Sequence, residues 1–162
     1  MDAARLIETT REALGAVTDP LEILGEAWQA QALAEAIGQH IAVHGPLELR
    51  AEARGLIETG GWAAGALPDT ILRTGGIRAT RLSELAEARQ ALLDLGELLD
   101  EVGMALVAVA CDAHEEWLYW QCIEAIDAAD EAGDRIHGLL RRLTVRERMR
   151  GDPLADPVAG PP

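Results

Sequence analysis

The 162-residue chain has no phenylalanine and no lysine. Aromatic residues make up 3% of it, so a core must be filled by aliphatic side chains. All 14 basic residues are arginine, a usage that also fits a high-GC genome. Only two cysteines occur, too few for a disulfide framework. A chain of this length buries roughly 70% of its unfolded surface and needs no covalent staple. The longest run of apolar or glycine residues, 102–111, falls well short of the roughly 20 residues that span a bilayer. The opening "MDAARLIETTREALG" is charged and amphipathic, without the apolar stretch of a signal peptide. These absences predict a cytoplasmic location, reduced thiols and no membrane partner. No internal repeat is present beyond a short repeated "TGG".

What is present reads as one globular helical protein. The composition is 49% hydrophobic and 26% charged, and Ala and Leu, both helix formers, dominate. Net charge is −14, a field that repels nucleic acid and anionic membrane. The charge is uneven. Residues 1–134 carry 25 acids against 8 Arg, whereas residues 135–162 carry 6 Arg against 3 acids.

Helical periodicity organises the chain into an all-α bundle of about five helices. The first is predicted over residues 2–17, with Ala3, Leu6, Ile7, Leu14 and Val17 inward. "DPLE" opens the second, since Asp19 can cap, Pro20 suits the first helical position and Glu22 has capping-box spacing. Its inward seam is Ile23, Ala27, Ala30, Ala34, Ile37 and Ile41. It ends at "HGP", where Gly45 is predicted to take a left-handed cap. A short third helix follows over 46–58. Residues 59–80, "TGGWAAGALPDTILRTGGIRAT", hold five glycines and a proline and form a Gly-rich excursion, with one helical turn expected near Thr70. The fourth helix is predicted from Leu82 or Ser83 to about Ala110, and the fifth over 113–148. Residues 1–150 form the predicted single domain, and the Pro/Gly-rich stretch 151–162 reads as a disordered tail.

The segment "CDAHEEWLYWQC", residues 111–122, gathers both cysteines, a histidine and three of the five aromatics. Its cysteine and histidine spacing is not that of a zinc site, and no second ligand pair follows. Asp112 and Glu115 have capping-box spacing instead, and Cys122 lies on the seam Leu118, Cys122, Ile126, Ala129, Gly133, Ile136, Leu140 and Leu143. Trp117 and Trp120 point away from that seam and share a face with Glu124, Asp127 and Glu131. Two readings fit. Either the first helix or the excursion covers the indoles, or Trp117, Trp120 and Glu124 form a contact surface for a protein partner or a second copy.

His40 and His44 stand one turn apart with no accompanying catalytic glutamate, and suit a helix C-terminus. Arg73, Arg78 and Arg81 beside glycine-rich backbone could hold a small anionic ligand under residues 59–81 with Trp62, or could pair with the acidic body. The basic end of the fifth helix is better suited to docking on an acidic surface, the protein's own or a partner's, than to nucleic acid. No metal site and no cofactor is predicted.

Two resemblances bear on function. In "SELAEARQALLDLGELLDEV", Glu84, Glu87, Glu97 and Asp100 resemble the E-E-x-x-E…E-x-x-D pattern of MazG-like nucleotide pyrophosphohydrolases, which implies Mg²⁺ held by carboxylates. Ser83 stands where that family has its first glutamate, and only nine residues separate the halves. A solvated acidic stripe explains the same residues. Over most of residues 1–148, with "EAWQAQALAEAIG", "LRTGGIRATRL" and "LYWQCIEAIDAADEAGDRI", the chain resembles small uncharacterised proteins of Streptomyces-type actinobacteria. That resemblance implies a cytosolic protein and no particular activity. The preferred expectation is a non-catalytic protein that works through protein–protein contact as a homodimer or an accessory factor.

Overall fold

A computed structural model describes residues 1–61 and 76–151. Among the described residues there are five α-helices and no β-strand. They are α1 (Ala3–Ala16), α2 (Pro20–His44), α3 (Arg50–Glu58), α4 (Ala88–Asp112) and α5 (Glu116–Gly151). Short 3₁₀ turns occupy Leu47–Leu49, Thr59–Gly61 and Arg78–Arg81. The predicted all-α bundle is therefore what the chain forms. Residues 62–75, with Trp62, Arg73 and the expected turn near Thr70, lie outside the described residues, as does the tail 152–162.

Helix α2 is the centre of the bundle. Every residue from Leu24 to Gln31 is buried, because α1, α3, α4 and α5 all pack against it. Its alanines make this possible, since small side chains let several neighbours approach at once. Asp19 caps it as the sequence implies, accepting from the N–H groups of Leu21 and Glu22 at 3.1 and 3.2 Å. Gly38 brings α3 close: a Cβ there would lie 3.1 Å from the Ala53 carbonyl oxygen. Helices α4 and α5 form a long hairpin, and their leucines and isoleucine (Leu92, Leu95, Leu106, Ile136, Leu139) are fully buried together with Leu6, Ile7, Leu33 and Ile37.

Four local expectations are corrected. Helix α4 begins at Ala88, about a turn and a half later than its pattern implied. The preceding segment is held extended by the other end of the chain: Ala3 N–H donates to the Glu84 carbonyl, Ser83 N–H to the Met1 carbonyl, each at 3.1 Å. Asp2 reinforces this, capping α1 through Ala4 N–H and accepting from Ala86 N–H. Gly45 is extended, not left-handed, at φ −78° and ψ 172°, because Pro46 disfavours any helical conformation just before it. Asp112 is the last residue of α4, so no capping box forms; Glu115 leads into α5, its carbonyl accepting from Tyr119 N–H. The α5 core line also runs nearer Ala125, Ala129, Ala132 and Leu139, leaving Leu118, Ile126 and Leu140 half-buried.

Candidate functional site

The outward side of α5 carries the most unusual surface on the described protein. At 36 residues, α5 extends for roughly 54 Å. Trp117 and Trp120 stand in its first two turns and are 57% and 54% exposed. The orientation predicted from the helical wheel is thus the observed one, and neither ring is enclosed. Tyr119, itself exposed, packs edge-on to Trp120 with ring centroids 5.3 Å apart. Glu124 follows one turn later and is exposed too.

Two grooves flank this surface. One, of about 550 Å³, lies between the α1–α2 turn and the α4–α5 turn. Leu21, Ile23, Val109, Leu118 and Trp117 line it, with His114 and Asp112 at its edge. The other, of about 620 Å³, lies at the far end of α5 against the Leu47–Leu49 turn and α3. Val145 and Met149 supply its apolar wall, and Arg141, Arg142, Arg146 and Arg150 its charge. Here the basic end of α5 meets the protein's own acids: Arg142 with Glu52 at 3.4 Å, Arg146 with Glu48 at 3.8 Å.

A model described as a family of unknown function, DUF6099, matches residues 1–142. The chain belongs to DUF6099. No curated protein and no solved structure matches it. The part of this DUF6099 chain within the match includes all five helices in whole or part, together with both tryptophans of α5.

The remaining sequence-predicted residues fall elsewhere. Arg78 is engaged inside the bundle, its guanidinium donating to both Glu26 oxygens at 2.6 and 2.8 Å and its backbone N–H to Gln29 at 3.0 Å. Arg81 is exposed, and its carbonyl accepts from the chain's amino group. Arg78 is therefore taken up by Glu26, because a bidentate carboxylate already satisfies its guanidinium. Glu84 and Glu87 lie on the extended segment before α4, whereas Glu97 and Asp100 project from α4 itself. From Glu87 to Asp100 the separation along the axis is on the order of 20 Å, too far to share one ion with ligands at ~2 Å. Glu97 instead faces Arg11 of α1, which Glu101 holds at 2.9 Å. The Glu101 hydrogen bond pushes the Arg11 guanidinium further above its ordinary range. Among the described residues, no three His, Cys, Asp or Glu side chains are grouped as metal ligands. His40 and His44, one turn apart at the end of α2, hold their rings 4.8 Å apart and tilted by 50°. Cys111 is exposed, and Cys122 is fully buried, which pushes its thiol pKa up.

Sequence reasoning missed a polar network along α2. Gln29 also donates to the Gly76 carbonyl at 2.9 Å, and Gln31 donates to the Thr59 hydroxyl at 2.9 Å and to its carbonyl at 3.1 Å. Both glutamines are 2% exposed. They tie Gly76 and Thr59 to the central helix. A signal existed: "EAWQAQALAEAIG" sets two glutamines among alanines in a run too apolar for a surface helix.

Proposed function

We propose that this DUF6099 protein is a non-catalytic cytosolic helical domain that acts through protein–protein contact, as an accessory or self-associating factor. The observation that carries the reading is the exposure of Trp117 and Trp120 at 57% and 54% on one face of α5. An indole left in water forgoes much of the ~25 cal/mol per Å² that burial supplies, and large exposed aromatic patches mark contact surfaces. Aromatic anchors beside a groove and ringed by polar groups have the anatomy of an interface hot spot. Leu21 across the 550 Å³ groove and Tyr119 beside Trp120 widen the apolar area, and Glu124 and Glu116 supply its acidic rim. No described helix is long and apolar enough to cross a membrane.

Sedimentation of the wild type and of Trp117→Ala/Trp120→Ala tests the reading, alongside capture of partners on immobilised protein. The double variant keeps its helical circular dichroism and loses association. Unchanged mass together with unchanged capture would refute the contact face.

A further inference from the structure

Helix α5 is divided by charge. Residues 116–134 carry six acids and no Arg; residues 135–151 carry six Arg and one acid. The helix dipole favours cations only within the last turn, where Arg148 and Arg150 stand. It does not account for Arg135, Arg141, Arg142 and Arg146. Exposed apolar side chains are divided in parallel. Trp117 and Trp120 lie at one end, and Val145 and Met149, 56% and 69% exposed, lie at the other. Trp120, Asp127, Glu131, Asp134, Arg141 and Val145 are exposed along one outward line in steps of three, four or seven residues, with Glu124 and Arg142 flanking it and Gly138 beside it buried against Glu52 of α3.

Building on the contact-face reading, we infer that this line is closed by a second copy of the chain, α5 against α5, antiparallel. A two-fold axis near the middle of the helix sets Trp117 opposite Met149 of the second copy, and Trp120 opposite its Val145. The same operation sets Glu124 and Asp127 opposite Arg142 and Arg141 of the second copy. Every contact occurs twice, as an isologous interface requires. Two apolar clusters then flank a belt of acid–arginine pairs. A parallel pairing would instead place acids on acids and arginines on arginines, which electrostatics disfavours.

The 620 Å³ groove is the receptacle for the indoles. Its wall of Val145 and Met149 offers apolar and sulfur–aromatic contact, and its guanidinium groups suit the face of a tryptophan ring. Arg142 and Arg146 keep donors free for the second copy, because their contacts to Glu52 and Glu48 are long, at 3.4 and 3.8 Å. The occupant is another copy rather than an unrelated protein because the two ends of α5 are complementary to each other in both charge and apolar spacing.

Sedimentation equilibrium of the full chain tests this. The wild type sediments at twice the 17.3 kDa chain mass. Glu124→Arg/Asp127→Arg and Arg141→Glu/Arg142→Glu each weaken the dimer by roughly tenfold or more, the scale of one lost charge-pair cluster. The chain carrying all four reversals recovers to within about threefold of wild type, since opposite charges again face each other. Circular dichroism of each variant shows that the fold is retained. A monomeric wild type overturns the second-copy inference, as does a four-fold variant that stays monomeric. If a monomeric wild type nevertheless captures a partner that Trp117→Ala/Trp120→Ala does not, the contact face stands and only the second copy is refuted. A dimer indifferent to the tryptophan substitutions refutes both.

Discussion

Replacing Arg78 with alanine would leave the Glu26 carboxylate unpaired inside the bundle. The pair is bidentate, at 2.6 and 2.8 Å, and its side chains are 18% and 11% exposed. Breaking a fully buried pair costs about 3–5 kcal/mol, whereas exposed pairs are worth about 0–1 kcal/mol. At this exposure some water still reaches the carboxylate, so the expected loss is about 2–4 kcal/mol. For a chain of this size each kcal/mol moves Tm by about 2–4 °C, which gives a drop of about 5–15 °C. The Arg78 backbone bond to Gln29 survives the substitution, so the loss reports the side chain alone: the ion pair and a longer, 3.4 Å contact to the buried Thr10 hydroxyl. Glu26→Leu/Arg78→Met removes both charges together and is expected near wild-type stability, because no charge is stranded. Urea melts of wild type, Glu26→Leu, Arg78→Met and the double variant yield the coupling energy. A loss under about 1 kcal/mol for Arg78→Ala, or additive single effects, would refute the view that Arg78 is a structural clamp rather than an anion-binding group.

Three further outcomes follow from the geometry. Asp19→Ala removes the cap on α2 and lowers stability by about 1 kcal/mol, measured by urea denaturation; an unchanged midpoint would mean that the cap contributes nothing. Gly38→Leu drives a side chain into the Ala53 carbonyl, 3.1 Å from where its Cβ would lie, and costs about 1–3 kcal/mol in thermal melts; a neutral result would show that α3 can shift away from α2. A thiol reagent at neutral pH modifies the exposed Cys111 in the native protein and reaches Cys122 only on unfolding. Burial both shields Cys122 and raises its pKa, so its reactive thiolate is scarce, and rapid native labelling of two thiols would contradict this.

Much of the fold was legible because the signals were local. The caps and breakers "DPLE" and "HGP" act within four residues, and Asp19 caps α2 as its spacing implies. The outward position of Trp117 and Trp120 was equally local, since a helix's period fixes which side chains share a face. The late start of α4 was illegible for the opposite reason. "LSELAE" has a good helical pattern, but its backbone is held by Met1, Asp2 and Ala3, over 80 positions away in the sequence. Pairing of Arg78 with the acidic body was one of the two outcomes its surroundings in the sequence allow, but that Glu26 is the acid was decided only by folding.

The sequence by itself determined the helical class, the caps, the polarity of α5 and the face its tryptophans occupy, because periodicity, propensity and charge order are carried by near neighbours. Only the tertiary structure decided that α2 is the enclosed centre with buried Gln29 and Gln31, that Arg78 is spent on Glu26, and that Trp117 and Trp120 stay more than half exposed. Those facts depend on which elements meet across long stretches of chain, and packing, not local preference, chooses the partners.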